Sequence, residues 1–348
     1  MLVDRLNSRM HSGRLPLNIA AYGLSIPTTS RSVSRVFELE AERVALQLAA
    51  LSAPFRDRLM PQLGLSEVVR EESSCSRQRG RLAAEQAMAR AGVNPREVGF
   101  IIDYSTYAVD AAVLWSLGHD IQNHIHASNA MVLGVRGSGC CGLHLAFRAA
   151  EAFLHSAPRS CVALLIASDR APDTGRVCLP VSIMSDAASA LVVTPMDSPL
   201  SAIARVRAVT IHCSGRYVDV LTSTNDPPAI SIDAAAFEQQ LIPVHFVALN
   251  RVLSRSLEAS RVSSSDVSAL VYPNTTLLDR QSACRALNFD PSLLVGPGPS
   301  KLGHAFANDL IINAQCLMEN RLTESRRFSA WLAAGSGFTW GSAIVETS

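Results

Sequence analysis

The chain has 348 residues, 48% of them hydrophobic and 18% charged, with a formal net charge of +1. That is enough chain and enough apolar content for a large core divided between two domains or two halves, and so balanced a charge gives no electrostatic case for nucleic acid as a partner. Met1 to Arg14 carries Arg5, Arg9 and Arg14 but no apolar block of the signal-peptide kind, and no apolar run approaches the roughly 18 to 20 residues of a bilayer span. The expectation is a cytoplasmic protein with no membrane partner. Its eight cysteines (75, 140, 141, 161, 178, 213, 284 and 316) form no CxxC pair and no cluster with histidine at zinc spacing. They read as reduced thiols, and no metal site is expected.

In chain order, Leu15 to Ile26 reads as a first strand ended by Pro27, and Val33 to Leu51 as a helix. Arg56 to Glu72 reads as a polar connection. Arg79 to Ala91 reads as a helix stopped by Gly92, with a turn at Asn94-Pro95. Val98 to Thr106 is a buried strand closing in small polar residues, Ala111 to Ile125 a second helix, and Ala130 to Val135 a short buried strand.

That strand leads into Gly137-Ser138-Gly139-Cys140-Cys141-Gly142, after which apolar residues at 143, 146, 147, 150 and 153 recur at helical spacing. A cysteine is thus placed where a strand turns sharply into a helix. Flanking glycines permit unusual backbone angles and close approach of a substrate. The start of a helix offers unpaired N–H groups and a positive dipole end, which favour thiolate over thiol. The stretch reads either as a nucleophile position or as small core residues under a glycine-rich turn.

Cys161 to Ala167 is another apolar strand, and Met184 to Val193 a small-residue turn running into a strand. Strand, helix and strand alternate, which predicts an α/β fold with a largely parallel sheet. The segment from Asp197 to Pro228 reads as the join between halves. Beyond it Ser260 to Thr275 (SRVSSSDVSALVYPNT) repeats Ala91 to Thr106 (AGVNPREVGFIIDYST), with Val93 against Val262 and Val98 against Val267. The repeat suggests one α/β unit duplicated, with strand ends of both copies meeting at a common centre. In the second copy the candidates there are Asn274 and His304, the latter ahead of a helix read over Asn308 to Leu322. Trp331 to Gly341 is a strand, a glycine loop and a strand, and such a loop can aim N–H groups at an oxyanion.

Together these segments resemble the β-ketoacyl-ACP synthase III family of the thiolase superfamily, from about Leu15 to Glu346. The resemblance rests on Cys140-Cys141-Gly142, where the family carries its acylated cysteine, and on Ser185-Asp186-Ala187-Ala188, where it usually has Gly-Asp-Ala-Ala. Its third support is Gly335-Ser336-Gly337-Phe338-Thr339-Trp340-Gly341. It implies a thiolase-type α/β fold with duplicated halves in five layers (αβαβα), and a homodimer. The divisions implied are an N-terminal extension (1–14), a nucleophile-bearing half (15–197) and a half with Asn, His and glycine loop (198–348). An acyl-thioester would form on Cys140, with the N–H groups of Cys140 and Ser336 as its oxyanion hole.

Two departures from the family pattern stand out. Pro273-Asn274-Thr275 occupies the place of the family's Pro-His-Gln, and Gly303-His304 that of its Gly-Asn, so the Cys-His-Asn trio becomes Cys140, Asn274 and His304 with His and Asn exchanged. Donation from both to a malonyl carbonyl would support Claisen-type condensation in a specialised, secondary-metabolite or fatty-acid-derived pathway. A single imidazole near Cys140 would equally serve as base toward a hydroxyl or amine acceptor. A non-catalytic partner subunit is the remaining alternative, against which a retained thiol in its elbow argues. Second, Arg56 to Leu65 lacks the family's adenine-stacking tryptophan. No tightly bound cofactor is expected; the thioester substrate would be carried by acyl-carrier-protein phosphopantetheine or by CoA, the carrier protein favoured. Arg56, Arg58 and Arg280 are candidate contacts to an acidic carrier protein or plain surface charges.

Other residues read as structural. His144 is expected in the core, Cys141 in packing, and Asp186 as a holder of backbone N–H groups in its own loop. His119, His124 and His126 are too irregularly spaced for a metal, and Asp110 and Trp115 fall where the family builds part of its dimer contact and acyl pocket.

Overall fold

The computed structural model describes residues 16–72, 75–108, 110, 115–225, 228–319 and 328–347. The N-terminal extension 1–14, the start of the helix read from Ala111 and the end of that read to Leu322 lie outside the described residues.

Strand β1 (Leu17–Ser25) is buried along almost its whole length. The stretch read as one helix is two, α1 (Val33–Leu39) and α2 (Ala41–Ala50), meeting at Glu40. The expected polar connection is also structured. It holds most of α3 (Ala53–Leu59), a 3-10 turn and a short strand, Glu67–Val69. Pro54 falls in the first turn of α3, where a missing N–H costs nothing, and Leu59 packs against Leu51 and Ala234. One anchoring leucine per turn is too little periodicity to betray a helix this short.

Helix α4 (Ser76–Ala91) ends on Gly92 in the left-handed conformation, φ +66°. Then come β2 (Val98–Asp103), α5 (Leu117–His124) and β3 (Met131–Gly134). β3 forms the sheet edge and is half exposed rather than buried. Helix α6 (Gly142–Leu154) follows a 3-10 turn at Gly139–Cys141, and β4 (Val162–Asp169) and β5 (Ala187–Pro195) complete the first half.

The segment read as a join contains a full strand, β6 (Ala204–Cys213). Its charges hid it: Arg205 and Arg207 face Glu346 at 3.9 and 3.2 Å on the neighbouring strand. Next are α7 (Ile242–Ser260), β7 (Val267–Val271), α8 (Leu277–Leu287), α9 (Asp309–Met318), β8 (Phe328–Gly335) and β9 (Thr339–Thr347).

The long strands pair in the order β7-β8-β9-β6-β1-β5-β4-β2-β3. Numbering the strands within each half, the first half reads 3-2-4-5-1 outward-in and the second 2-4-5-1. In the second half the missing outer strand is reduced to a parallel bridge between Leu270 and Leu294. Orientations repeat as well: β2/β4 and β7/β8 are parallel, β4/β5 and β8/β9 antiparallel. The sheet is therefore mixed rather than largely parallel, because β8 and β9 are joined by a three-residue loop (336–338), too short for the crossover a parallel pair needs.

Three apolar clusters define the layers. α4 and α5 cover the outer face of the first half, and α7 and α8 that of the second. Between the halves lie α6 and α9, whose Leu143, Phe147, Leu310 and Ile311 meet residues from the inner faces of both, such as Leu165 and Trp331. The result is the five-layered αβαβα arrangement, with the N-termini of α6 and α9 brought to one place.

Candidate active site

A cavity of about 680 Å³ opens where the two halves meet, and both Cys140 and His304 line it. The cysteine is positioned by close backbone contacts. A Cβ on Gly142 would stand 2.6 Å from the Tyr104 carbonyl oxygen, so α6 can begin only as a glycine pressed on the end of β2. A Cβ on Gly139 would stand 2.6 Å from Ser336 N, and one on Gly335 would stand 2.8 Å from Cys140 N. The elbow and the loop after β8 therefore run backbone against backbone, and the two N–H groups named as an oxyanion hole, of Cys140 and Ser336, belong to adjoining segments.

His304 is held from the Ser-Asp-Ala-Ala turn. Its N–H donates to Ile183 O at 2.9 Å, and its carbonyl accepts from Ser185 N at 2.8 Å. Ser185 Oγ in turn donates to Leu302 O and accepts from Val69 N. Asp186 is buried and structural, but it serves other loops rather than its own. It accepts from Glu71 N and Ala171 N at 2.8 and 2.9 Å, and Arg176 pairs with both its oxygens at 2.9 and 3.0 Å. Every hydrogen-bonding site of this buried ion pair's carboxylate is used, which is what makes such a pair tolerable in a core.

The imidazole then spans two groups. Nε2 lies 3.2 Å from Cys140 Sγ, and Nδ1 lies 2.5 Å from Asp309 Oδ2. Asp309 is wholly buried in the first turn of α9. Beside the imidazole it accepts from Asn274 N (2.7 Å), Ala305 N (2.8 Å) and Asn274 Nδ2 (3.2 Å), so donors on four sides hold a carboxylate that would otherwise be costly to bury. Burial works to lower the His304 pKa, but the negative charge of the Cys140 sulfur and of Asp309 outweighs it and holds the imidazole well above its ordinary value.

Asn274 does not border the cavity. It is fully buried, its amide NH₂ given to Asp309 and its Oδ1 taking Arg280 Nη1 and Asn313 Nδ2, each at 3.0 Å. Of the two side chains expected beside the cysteine, the structure brings His304 to it and places Asn274 behind Asp309. Arg280 is likewise not a rim residue. It is buried on Asn274, and desolvation pulls its pKa below the ordinary value. Arg58 does border the cavity mouth, 5.8 Å over the ring of Phe55. Phe55, one residue ahead of the stretch without aromatics, supplies an aromatic face there.

The neighbours sort clearly. Cys141 is buried, its Sγ turned to the carbonyls of Ala333 and Thr339, and burial pushes its thiol pKa well up. His144 is a core residue whose Nε2 meets Trp331 O at 3.0 Å, and burial lowers its pKa to about 4. Phe306 holds a left-handed backbone, φ +54°, rare for an aromatic residue, and its ring lies 5.8 Å from that of His304. Asp110 caps Ser76 N at 2.8 Å, and Trp115 stacks under Arg77. Among the described residues no group of three metal-ligating side chains occurs and no helix is long and apolar enough to cross a membrane.

Asp309 is the functional residue that sequence reasoning missed. Its signal was present: a lone acid between Ala307-Asn308 and Leu310-Ile311-Ile312, at the head of a mostly apolar helix, must find a partner.

No family model matches the chain. The β-ketoacyl-ACP synthase III of Pasteurella multocida is 25% identical over 284 residues, covering 76% of this chain and 82% of that protein. Among solved structures, ChlB3, described as an acyltransferase, superposes with a TM-score of 0.78 at 21% identity, covering 95% of this chain and 98% of its own. The priming β-ketosynthase of the R1128 polyketide pathway superposes with a TM-score of 0.75 at 16% identity, covering 96% and 97%. In sequence the chain is similar to the β-ketoacyl-ACP synthase III proteins, and it shares the thiolase-type fold of the structures it superposes on.

Proposed function

We propose that the protein is an acyltransferase in which Cys140 takes an acyl group from a carrier thioester and His304, backed by Asp309, directs it to a hydroxyl or amine acceptor. The observation that carries this reading is the unbroken line from Sγ through the imidazole to a buried carboxylate, 3.2 and 2.5 Å. In the resting site the imidazole, held well above its ordinary pKa, faces the Cys140 sulfur, and the thiolate is the form of a cysteine that attacks. Sγ attacks the thioester carbonyl, and the oxygen, now negative, is met by the N–H groups of Cys140 and Ser336. Collapse expels the carrier thiol, which leaves with the proton of Nε2. The imidazole is then neutral beside an uncharged acyl-cysteine. It takes the proton of the incoming O–H or N–H as that atom attacks, and the second collapse returns the thiolate. Asp309 keeps the Nδ1 proton in place throughout, and Asn274 positions Asp309 through two hydrogen bonds.

Claisen-type condensation with a malonyl-type extender is the second reading, supported by the β-ketoacyl synthase III relative. It asks for donors at the enolate oxygen, and here, among the described residues, His304 is the one side chain hydrogen-bonded to the sulfur. The donor would be phosphopantetheine-bound, on a carrier protein or CoA, and the active form a homodimer.

Intact-mass measurement after incubation with acyl-carrier protein tests the common first step. An acyl mass gain on the wild type, absent in Cys140→Ala, is expected; no gain, or equal gain on both, overturns the enzyme reading. Malonyl-carrier protein supplied next separates the two chemistries. Release of carbon dioxide coupled to loss of the acyl mass supports condensation, and deacylation by a hydroxyl or amine acceptor without it supports transfer.

A further inference from the structure

The turn that carries His304 to the cysteine also carries a residue its backbone does not favour. Phe306 stands two positions after His304 and opens the 3-10 turn that runs into α9, with φ +54°. Side chains larger than glycine rarely accept that region, because a β carbon there crowds the following carbonyl. The conformation is imposed by bonds on both sides of it. Ala305 N donates to Asp309 Oδ1 at 2.8 Å, Asn308 N donates to Ala305 O at 3.1 Å, and Asn308 Nδ2 donates to Asp169 Oδ2 at 2.8 Å. Glycine would meet these demands at less cost, and residues held against such a preference cluster at functional sites.

The surroundings of the ring show what it fills. Its centroid lies 5.8 Å from that of His304 and 6.2 Å from that of Tyr107, and it shares an apolar cluster with Met184 and Ile230. Phe306 and these four neighbours all border the cavity, and Cys140, which borders it too, packs against the same cluster. This part of the wall is closed: Phe306 and Met184 are each 3% exposed, and Cys178 in the same cluster is 0% exposed. The cavity meets solvent where Arg58 and Val218, both exposed, border it. A carrier arm that reaches Cys140 comes in by that way, so the group left on the sulfur turns to the closed side.

We propose that Phe306 is a specificity-determining residue for the acyl group, its ring closing the cavity beside Cys140 and setting the longest straight chain the sulfur can carry. A chain that ends short of the ring packs against the apolar wall and gains from every methylene. A longer one must displace an aromatic side chain that Tyr107 and His304 hold in place, and a closely packed wall gives little. The inference rests on the reading of Cys140 as the acyl carrier, but its test needs no turnover.

Alkyl pantetheine thioethers from ethyl to dodecyl lack the carbonyl that Cys140 would attack, and calorimetry reads their affinity against chain length. In the wild type affinity should climb about three- to four-fold per methylene, up to a limiting length, and fall beyond it. Phe306→Ala should move that limit up by about two to four carbons, as chain refills the volume of the lost ring at interior density. Phe306→Trp should move it down. Phe306→Gly, which suits φ +54°, should match Phe306→Ala and keeps the comparison if alanine disturbs the turn. The ethyl thioether, too short to meet the ring, should bind every variant alike and marks each as folded. In the wild type the terminal methyl of the limiting chain should give a nuclear Overhauser contact to the Phe306 ring protons, one that the ethyl ligand lacks and that needs no variant. A climb that continues through dodecyl, a limit that Phe306→Ala and Phe306→Gly leave in place, or a limiting chain without that contact overturns the proposal. Absence of Cys140 acylation in the mass experiment would instead sink the acyltransferase reading and leave the thioether profile standing.

Discussion

In the first half a 3-10 turn at Gly139–Cys141 runs into α6, and in the second a 3-10 turn at Phe306–Asn308 runs into α9. Both helices lie in the central layer and both begin beside the cavity, so the frame is symmetric. The residues at the two helix starts are not. α6 opens with Gly142 and Leu143, and the thiol just ahead of it is left with one face to the cavity. α9 opens with Asp309, buried and surrounded by donors that include the imidazole of His304. One copy of the fold presents a thiol at a bare helix start. The other spends its helix start on a carboxylate and delivers the histidine that carboxylate holds. Duplication brought two equivalent positions together, and divergence at them set a thiol against a carboxylate-held imidazole in what the backbone treats alike.

Asp309→Asn should break this division of labour most severely. The amide keeps the volume but cannot accept from all four donors, and it leaves the Nδ1 proton without a carboxylate. A fall in acyl transfer of roughly 10² to 10⁴ is expected, the scale seen when the acid of a nucleophile–histidine–acid triad is neutralised. The pH profile supplies the sign. In the proposed transfer, deacylation needs neutral His304, so its rate should rise as pH climbs through the imidazole pKa of the acyl-enzyme. Asp309 raises that pKa, so its removal should move the rising limb to lower pH while the plateau drops. A lower plateau with an unmoved limb would count against Asp309 as the partner of His304.

Gly303→Ala tests how the second half holds its histidine. Gly303 has φ +68°, and a Cβ there would stand 2.7 Å from Ser185 Oγ and 2.9 Å from Ile183 O. Gly92 has φ +66° with open space around it, so Gly92→Ala reports backbone strain alone, about 1 kcal/mol. Gly303→Ala adds the collision and should cost about 3 to 4 kcal/mol, read as urea midpoints, with acylation slowed besides. Equal losses would mean that the Ser185 brace yields freely.

His144 gives a third expectation, from the buried face of α6. Its pKa falls from 6.5 to about 4 on folding. Between those values the unfolded chain binds a proton that the native state refuses, so stability declines as pH falls from 6.5 to 4. At about 1.4 kcal/mol per pH unit this amounts to about 3 kcal/mol. His144→Gln retains a donor for Trp331 O and does not titrate, so its stability should fall by about 3 kcal/mol less than the wild type across that interval. Parallel pH curves for the two proteins would contradict it.

Much of this was legible in the residues, for identifiable reasons. The elbow at Cys140, the strands β2, β4 and β7, and the helix stop at Gly92 follow from local signals of apolar runs and glycine. β6 was lost because its arginines find their partner on a strand some 140 residues away, and periodicity cannot see across that distance. The side-chain direction of Asn274 was illegible for the same cause. Arg280 on α8 and Asn313 and Asp309 on α9 compete for its amide, and their sum decides where it points. Asp309 itself was visible as a charge in an apolar helix, and only the fold could say that His304 was what it served.

The smallest effect bears most directly on the duplication. Asn94 and Ser263 sit at corresponding places in the repeated segments, each opening a 3-10 turn between a helix and a strand, α4 to β2 and α7 to β7. Asn94 Oδ1 accepts from Arg96 N at 3.0 Å while Glu97 accepts from Asn94 N at 2.7 Å. Ser263 Oγ accepts from Ser265 N at 3.4 Å while Asp266 accepts from Ser263 N at 3.0 Å. Both are exposed reciprocal caps, so each alanine substitution should cost about 0.5 to 1 kcal/mol. Asn94→Ala should cost slightly more, because its bonds are shorter. Urea midpoints of the two variants and of the double mutant measure this, and the double mutant should show simple addition, since the sites share no partner. A loss above 2 kcal/mol at one site with none at the other would mean that the two turns carry different loads, and that the likeness of the halves ends at the backbone.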